Sequence, residues 1–171
     1  MSYRILSLDV SGSSTGWSFA TKNSKKLLFG TIKTDPSDPL AKRLDMFRRS
    51  LWVIMATYRP NIILLEDTFV GKNPAVNKLL SKFGGVAEQS VYEYTGTPPV
   101  VISNKTVKAF FHVKKKEALF EVMHDLLDWT AEHQFKGFND IADSIAQLKY
   151  YLDLKNLSKV REEVEYGFKY K

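Results

Sequence analysis

Residues 5–10, ILSLDV, are a run of strand-forming residues that carries a single carboxylate, Asp9, and no other stretch limits the possible folds as much. A Gly/Ser/Thr-rich segment, 11–16, follows, and a second apolar run leads to Ala20. The pattern predicts a buried strand over residues 3–10 that turns back into a hairpin. A carboxylate in that setting costs several kcal/mol unless it is hydrogen-bonded, paired or bound to a cation. Two resolutions stand side by side. Asp9 can accept hydrogen bonds from the amides of the 11–16 turn, or it can be one of several carboxylates gathered around a cation.

The chain has 171 residues, enough for one domain with a sizeable core, and 44% of them are hydrophobic. No apolar run approaches the ~20 residues that span a bilayer. Residues 1–9 hold too short an apolar stretch for a signal peptide and include an acid, so a cytoplasmic location is expected. Cysteine is absent, which excludes disulfides, zinc ribbons and thiol chemistry and leaves oxygen or imidazole as metal ligands. The formal charge of +6 points to a polyanionic partner. Its basic residues fall in groups: Lys42, Arg43, Arg48 and Arg49; Lys114, Lys115 and Lys116; and Lys155, Lys159, Arg161, Lys169 and Lys171 near the end.

Strands over 17–21 and 27–33, joined by the polar turn 22–26, extend the first into an antiparallel meander. Ser37 or Asp38 can cap a helix with Pro39 in its first turn, and Leu40, Leu44, Phe47, Leu51 and Tyr58 recur at helical spacing. That helix turns its apolar stripe to the sheet and its Lys/Arg residues outward. The run 61–66, NIILLE, reads as a central strand parallel to the first, again closed by an acid, Glu66. Asp67 follows, but side chains alternate along a strand, so only one of the two acids shares a face with Asp9. A helix over 75–94 contains Gly84 and Gly85, which cost about 1 kcal/mol each against Ala. Close approach of another backbone, from the sheet or a second subunit, offsets that. A short strand over 98–103 comes next, then helices over 105–111, capped by Ser103 or Asn104, and 114–132. The lysines opening the latter oppose its macrodipole, as at a site that uses the charge. His112, His124 and His133 have no metal-ligand spacing. After a loop over 134–138, Asn139 caps a final helix, 140–154, with Asp140 and Asp143 on one face of its first turn. There the helix dipole alone is reason enough for acids.

The fold read from this pattern is α/β: a five-stranded mixed sheet flanked by helices, one domain over 1–154 and a basic tail over 155–171. Asp9 and Glu66 end parallel strands at the sheet's C-terminal edge, where open α/β sheets place their sites. The last helix can lay Asp140 and Asp143 over that edge. Four carboxylates in one pocket need cations, and hard oxygen ligands suit Mg²⁺ or Mn²⁺. Two such ions on a phosphodiester activate water and stabilise the leaving oxygen, the logic of a two-metal nuclease.

The segments SLDVSGSSTGW, LEDTFVGKNPAVNKLLSKFGGV and NDIADSIAQL occur in order over residues 5–151 with Asp…Glu…Asp-x-x-Asp spacing. They resemble the RuvC-type Holliday-junction resolvases of the RNase H-like superfamily. The resemblance implies an RNase H-like fold and Asp9, Glu66, Asp140 and Asp143 as catalytic metal ligands for Mg²⁺ or Mn²⁺, two ions in all. It further implies Lys108 and Lys116 near the scissile phosphate and Phe69 as an aromatic beside the junction; the charge argument on the lysine run puts Lys114 and Lys115 on DNA phosphates as well. The implied substrate is a four-way or other branched DNA, cut by paired nicks from a homodimer. Ser11 stands where the family often has Gly, and the chain continues past the last helix into a basic tail, a feature similar to phage-encoded members. The alternatives are a YqgF-type nuclease acting on RNA, an actin- or sugar-kinase-type ATPase and a non-catalytic DNA-binding module.

Overall fold

The computed structural model describes residues 3–21, 27–67, 71 and 73–154. The turn 22–26, Phe69 and the tail 155–171 lie outside the described residues. The elements run β1 (Arg4–Asp9), β2 (Ser14–Thr21), β3 (Leu28–Lys33), α1 (Leu40–Tyr58), β4 (Ile62–Glu66), α2 (Pro74–Thr95), β5 (Val100–Ile102), α3 (Asn104–Phe110), α4 (Lys116–Leu126) and α5 (Phe135–Leu154). The strands form one sheet in the order β3-β2-β1-β4-β5. β2 is antiparallel to β1 and β3, whereas β4 is parallel to β1 and β5 to β4.

Strand alternation divides the interior into two cores. Leu6, Leu8, Ile63 and Leu65 meet Phe47, Leu51 and Met55 of α1 and Phe83, Ala87 and Val91 of α2. Ile5 and Leu64 meet Leu119 and Met123 of α4 and Ile141, Ile145 and Leu148 of α5 on the other face. Asp9 has the parity of Ile5, and Glu66 that of Leu64. Both acids therefore belong to the α5 face.

Several expected boundaries move, each for a local reason. β2 begins at Ser14, so the turn after Asp9 is shorter than 11–16. α1 starts after Pro39 with no side-chain cap, because Asp38 pairs with Lys42 at 2.8 Å and Asp35 takes the Ser37 amide. Arg43, expected on the outer face, is buried at 8% exposure, for it stands three residues after Leu40 and four before Phe47, inside the apolar stripe. Ser103 precedes α3 without a side-chain cap bond. α4 stops at Leu126 instead of reaching residue 132: Asp128 turns left-handed (φ 49°), and Trp129 stacks on His133 with ring centroids 5.2 Å apart. α5 starts at Phe135, where a loop was expected and with no cap at Asn139. Phe135 packs on Phe120 and Phe138 on Trp129, drawing the segment into the helix.

One close contact seats α5 on the sheet. Gly16 stands opposite Asp9 in the β1–β2 register, and a Cβ at Gly16 would lie 2.0 Å from the carbonyl oxygen of Asp140. Any side chain there collides with helix backbone. Gly16→Ala should destabilise the fold by about 3 kcal/mol, the upper part of the overpacking range. Chemical denaturation of the two proteins measures this directly.

Candidate active site

The register Leu8↔Leu65 makes Asp9 and Glu66 the next residues along two parallel neighbouring strands. α5 brings Asp140 and Asp143 over the same end, on the ledge that Gly16 leaves open. A second tie sets the helix against the strand. Gln147 Nε2 donates to Ser7 Oγ at 3.1 Å, with both residues buried. Ser7 lies two residues before Asp9 on one strand face, and Gln147 four after Asp143 on one helix face. The bond thus fixes α5 one step behind the acids. None of Gly16, Ser7 and Gln147 was singled out from sequence. The available signal was polar residues at same-face spacing from the acids.

Lys116, the first residue of α4, places its ammonium among the aspartates. Its Nζ is 2.6 Å from Asp143 Oδ2, 3.1 Å from Asp140 Oδ1 and 3.8 Å from Asp9 Oδ2. Burial pulls the Lys116 pKa down, but attraction to Asp9, Asp143 and Asp140 outweighs it and the net shift is upward. One positive charge does not balance the acids. Burial pushes the Asp9 carboxyl well above its usual range, Glu66 and Asp143 push it further, and Lys116 counteracts only in part. Asp143 is raised to about 6, by burial first, against the pull and hydrogen bond of Lys116, with Glu66 and Asp140 adding to the rise. Asp9 Oδ2 is buried without a hydrogen-bond partner. Glu66 is held from the side, since Asn104 Nδ2 donates to its Oε1 at 2.9 Å. Asn104, read from sequence as a helix cap, serves the acid instead. Asn139 Nδ2 likewise donates to Asp140 Oδ1 at 2.9 Å.

The structure therefore brings Asp9, Asp140, Asp143 and Lys116 together and sets Glu66 electrostatically beside them. Asp67 is exposed. Lys108 lies half-buried on α3, and Lys114 and Lys115 are exposed just before α4. Because α5 begins at Phe135, Asp140 and Asp143 sit beyond its first turn, where the macrodipole has faded. The dipole thus loses its force as the reason for these acids.

The donor set fits a hard divalent cation. It is all carboxylate oxygen, it carries more negative charge than Lys116 neutralises, and one buried oxygen, Asp9 Oδ2, lacks a hydrogen-bond partner. With Lys116 standing between the acids, no three acidic or histidine side chains among the described residues converge closely enough to hold one ion.

Residues 5–147 match the family model described as "Crossover junction endodeoxyribonuclease RuvC". A protein of that name from Rickettsia typhi is 29% identical over 126 residues, covering 70% of this chain and 80% of its own. One from Ehrlichia canis is 27% identical over 151 residues, covering 83% and 91%. Among solved structures, Thermus thermophilus RuvC in complex with Holliday junction substrate superposes with a TM-score of 0.71 at 16% identity, over 90% of this chain and 96% of that one. At that identity the superposition speaks for the fold, RNase H-like and of RuvC type. None of these relatives is of phage origin, so the phage-like reading of the tail gains no support from them.

The raised carboxyl of Asp143 carries a consequence for stability without metal. Its folded-state pKa of about 6 exceeds the ordinary 3.8, so within that window the folded protein binds more protons than the unfolded one and stability falls as pH rises. Asp143→Asn should flatten this slope and raise the metal-free stability at neutral pH by roughly 1–3 kcal/mol. Thermal melts between pH 4 and 7 in chelator, wild type beside variant, test it. A lower melting temperature for the variant at pH 7 contradicts the like-charge account.

Proposed function

The chain belongs to the family of crossover junction endodeoxyribonucleases RuvC, which resolve Holliday junctions, and from that premise we propose that Asp9, Glu66, Asp140 and Asp143 are its catalytic metal ligands. The observation carrying this reading is the convergence of three aspartates, from β1 and α5, on one half-buried ammonium at the end of two parallel strands. Mg²⁺ or Mn²⁺, as two ions, would supply an activated water and charge on the leaving oxygen. The carboxylates of Asp9, Glu66, Asp140 and Asp143 would hold the cations, with Glu66 steadied by the hydrogen bond it accepts from Asn104. Lys116 keeps the acids gathered until its ammonium gives way, and then lies next to the phosphate to be cut. Lys114 and Lys115, which precede Lys116, and Lys108, one helical turn after Asn104 on α3, would bind phosphates. Phe69, three residues past Glu66, stacks on a base at the junction, a contact worth about 1–3 kcal/mol.

The substrate is a four-way junction or related branched DNA, cut on two strands by a two-fold dimer. Cleavage of a synthetic four-way junction should require Mg²⁺ or Mn²⁺, stop in EDTA and stop in Asp9→Asn. A gel assay with linear duplex and an RNA–DNA hybrid as competitors reads this out. Cutting that persists in EDTA, or that favours the hybrid, overturns the assignment. No helix among the described residues is long and apolar enough to cross a membrane.

Self-association through α2 fits the same reading. Gly85 is exposed and a Cβ there meets nothing within 4 Å, so its helix cost finds no compensation among the described residues. Tyr92, one helix face along, is also exposed, at 58%. Gly85→Ala should stabilise the monomer by up to about 1 kcal/mol through helix propensity and at the same time weaken the dimer. Sedimentation over a concentration series, beside melts at low concentration, checks both halves. A variant that associates as well as the wild type removes α2 as the interface.

A further inference from the structure

The buried guanidinium of Arg43 is the feature that neither the core nor the carboxylate cluster explains. It occupies an apolar-stripe position of α1 and is 8% exposed, with no carboxylate within ion-pair distance among the described residues. Its hydrogen-bond and ring partners are neutral, and Asp35, whose carboxyl feels the Arg43 charge, lies beyond ion-pair distance. Nη2 donates to the carbonyl of Gly12, Nε donates to Thr34 Oγ1 at 3.4 Å, and Cζ lies 5.6 Å from the centroid of the Phe83 ring. Burying a charge on such partners is costly, and an apolar residue of similar volume usually holds a core as well or better. Packing alone therefore gives no reason for an arginine.

What the guanidinium holds is the turn after Asp9. The Gly12 carbonyl also accepts from Thr34 Oγ1 at 2.8 Å, and the Ser13 carbonyl from the Thr34 amide at 2.9 Å. Ser11 closes the turn from within, its Oγ donating to the Ser14 carbonyl at 2.6 Å and accepting from the Ser14 amide at 3.0 Å. This turn joins Asp9 to the start of β2, two residues before the Gly16 ledge on which the Asp140 backbone rests. A shift of the turn is thus passed to Asp9 at one end and to Asp140 at the other. The planar fork of arginine spans two acceptors at once, which a single ammonium does not.

We infer that Arg43 is a positioning residue, bracing from the α1 face the turn that sets Asp9 and the Asp140 ledge in catalytic register. The inference rests on the nuclease reading above. Its test uses full-length Arg43→Met and Arg43→Lys against wild type on a four-way junction with Mg²⁺. Arg43→Met should melt at or above the wild-type temperature and bind the junction in EDTA unchanged. Its kcat should fall on the order of ten- to a hundredfold with KM held, the scale on which small misplacement of reacting groups acts. Arg43→Lys, which keeps one donor for the Gly12 carbonyl, should recover part of that loss. Amide exchange of residues 11–14 should be about tenfold faster in Arg43→Met. Wild-type kcat in Arg43→Met overturns the inference, as does a kcat loss that tracks a lowered melting temperature equally in both variants. A wild type that cuts no junction overturns the nuclease reading and the catalytic part of the inference with it. Unchanged exchange at 11–14 removes the brace by itself.

Discussion

Negative charge crowded at one end of the sheet is the constraint to which the rest of the molecule answers. Asp9, Asp140 and Asp143 lie close enough to share one ammonium, and Glu66 raises the cost of ionising both Asp9 and Asp143. Buried carboxylates at this density are tenable only with matching positive charge or with protons. Lys116 supplies part of that charge from the first turn of α4. There it opposes the helix dipole, a penalty on the order of 0.3–1 kcal/mol that attraction to three carboxylates outweighs. The unfavourable local choice is a by-product of the acid cluster.

The fold delivers those charges through periodicity and close approach. Alternation along β1 and β4 sends Asp9 and Glu66 to the same face, and parallel pairing sets them abreast. Gly16 then lets helix backbone rest on the sheet beside Asp9, and the Ser7–Gln147 bond fixes how far along the strand the helix lies. Translation and tilt of α5 are each set by a contact that tolerates little substitution. A buried polar pair between strand and helix is useful here because, unlike leucine against leucine, it is satisfied in one register only.

Much of this was legible in the chain. The acid-terminated apolar runs, the order of strands and helices, and the Asp-x-x-Asp pair on a helix follow from hydrophobic period and strand parity, which act within a few residues. What escaped depends on contacts distant in sequence. Arg43 was assigned to the outer face because charge outweighed its spacing from Leu40 and Phe47, and Asn104 was assigned to a cap because Glu66 is remote from it in the chain. The ends of α4 and α5 moved because Trp129, Phe135 and Phe138 gain more from joining the Phe120 cluster than from local propensity. Gly16 looked like a turn residue. Its role emerges only with the Asp140 carbonyl in place.

Two cations near the end of β1, half-buried Lys116 and buried Arg43, show how differently charge is used on the two faces of the sheet. Lys116 is surrounded by charges, so what matters is its positive sign, and a divalent ion is a chemically equivalent partner for the same oxygens. Arg43 is surrounded by a carbonyl, a hydroxyl and an aromatic face, none of which needs a cation to be neutral. What matters there is the direction of its donors, which no diffusible ion reproduces. On the proposed reading the α5 face would exchange its positive charge for a cation, and the α1 face would keep its own. On the proposed nuclease reading, a centre that admits a metal calls for both behaviours, with the exchangeable charge inside the pocket and the permanent one behind its wall.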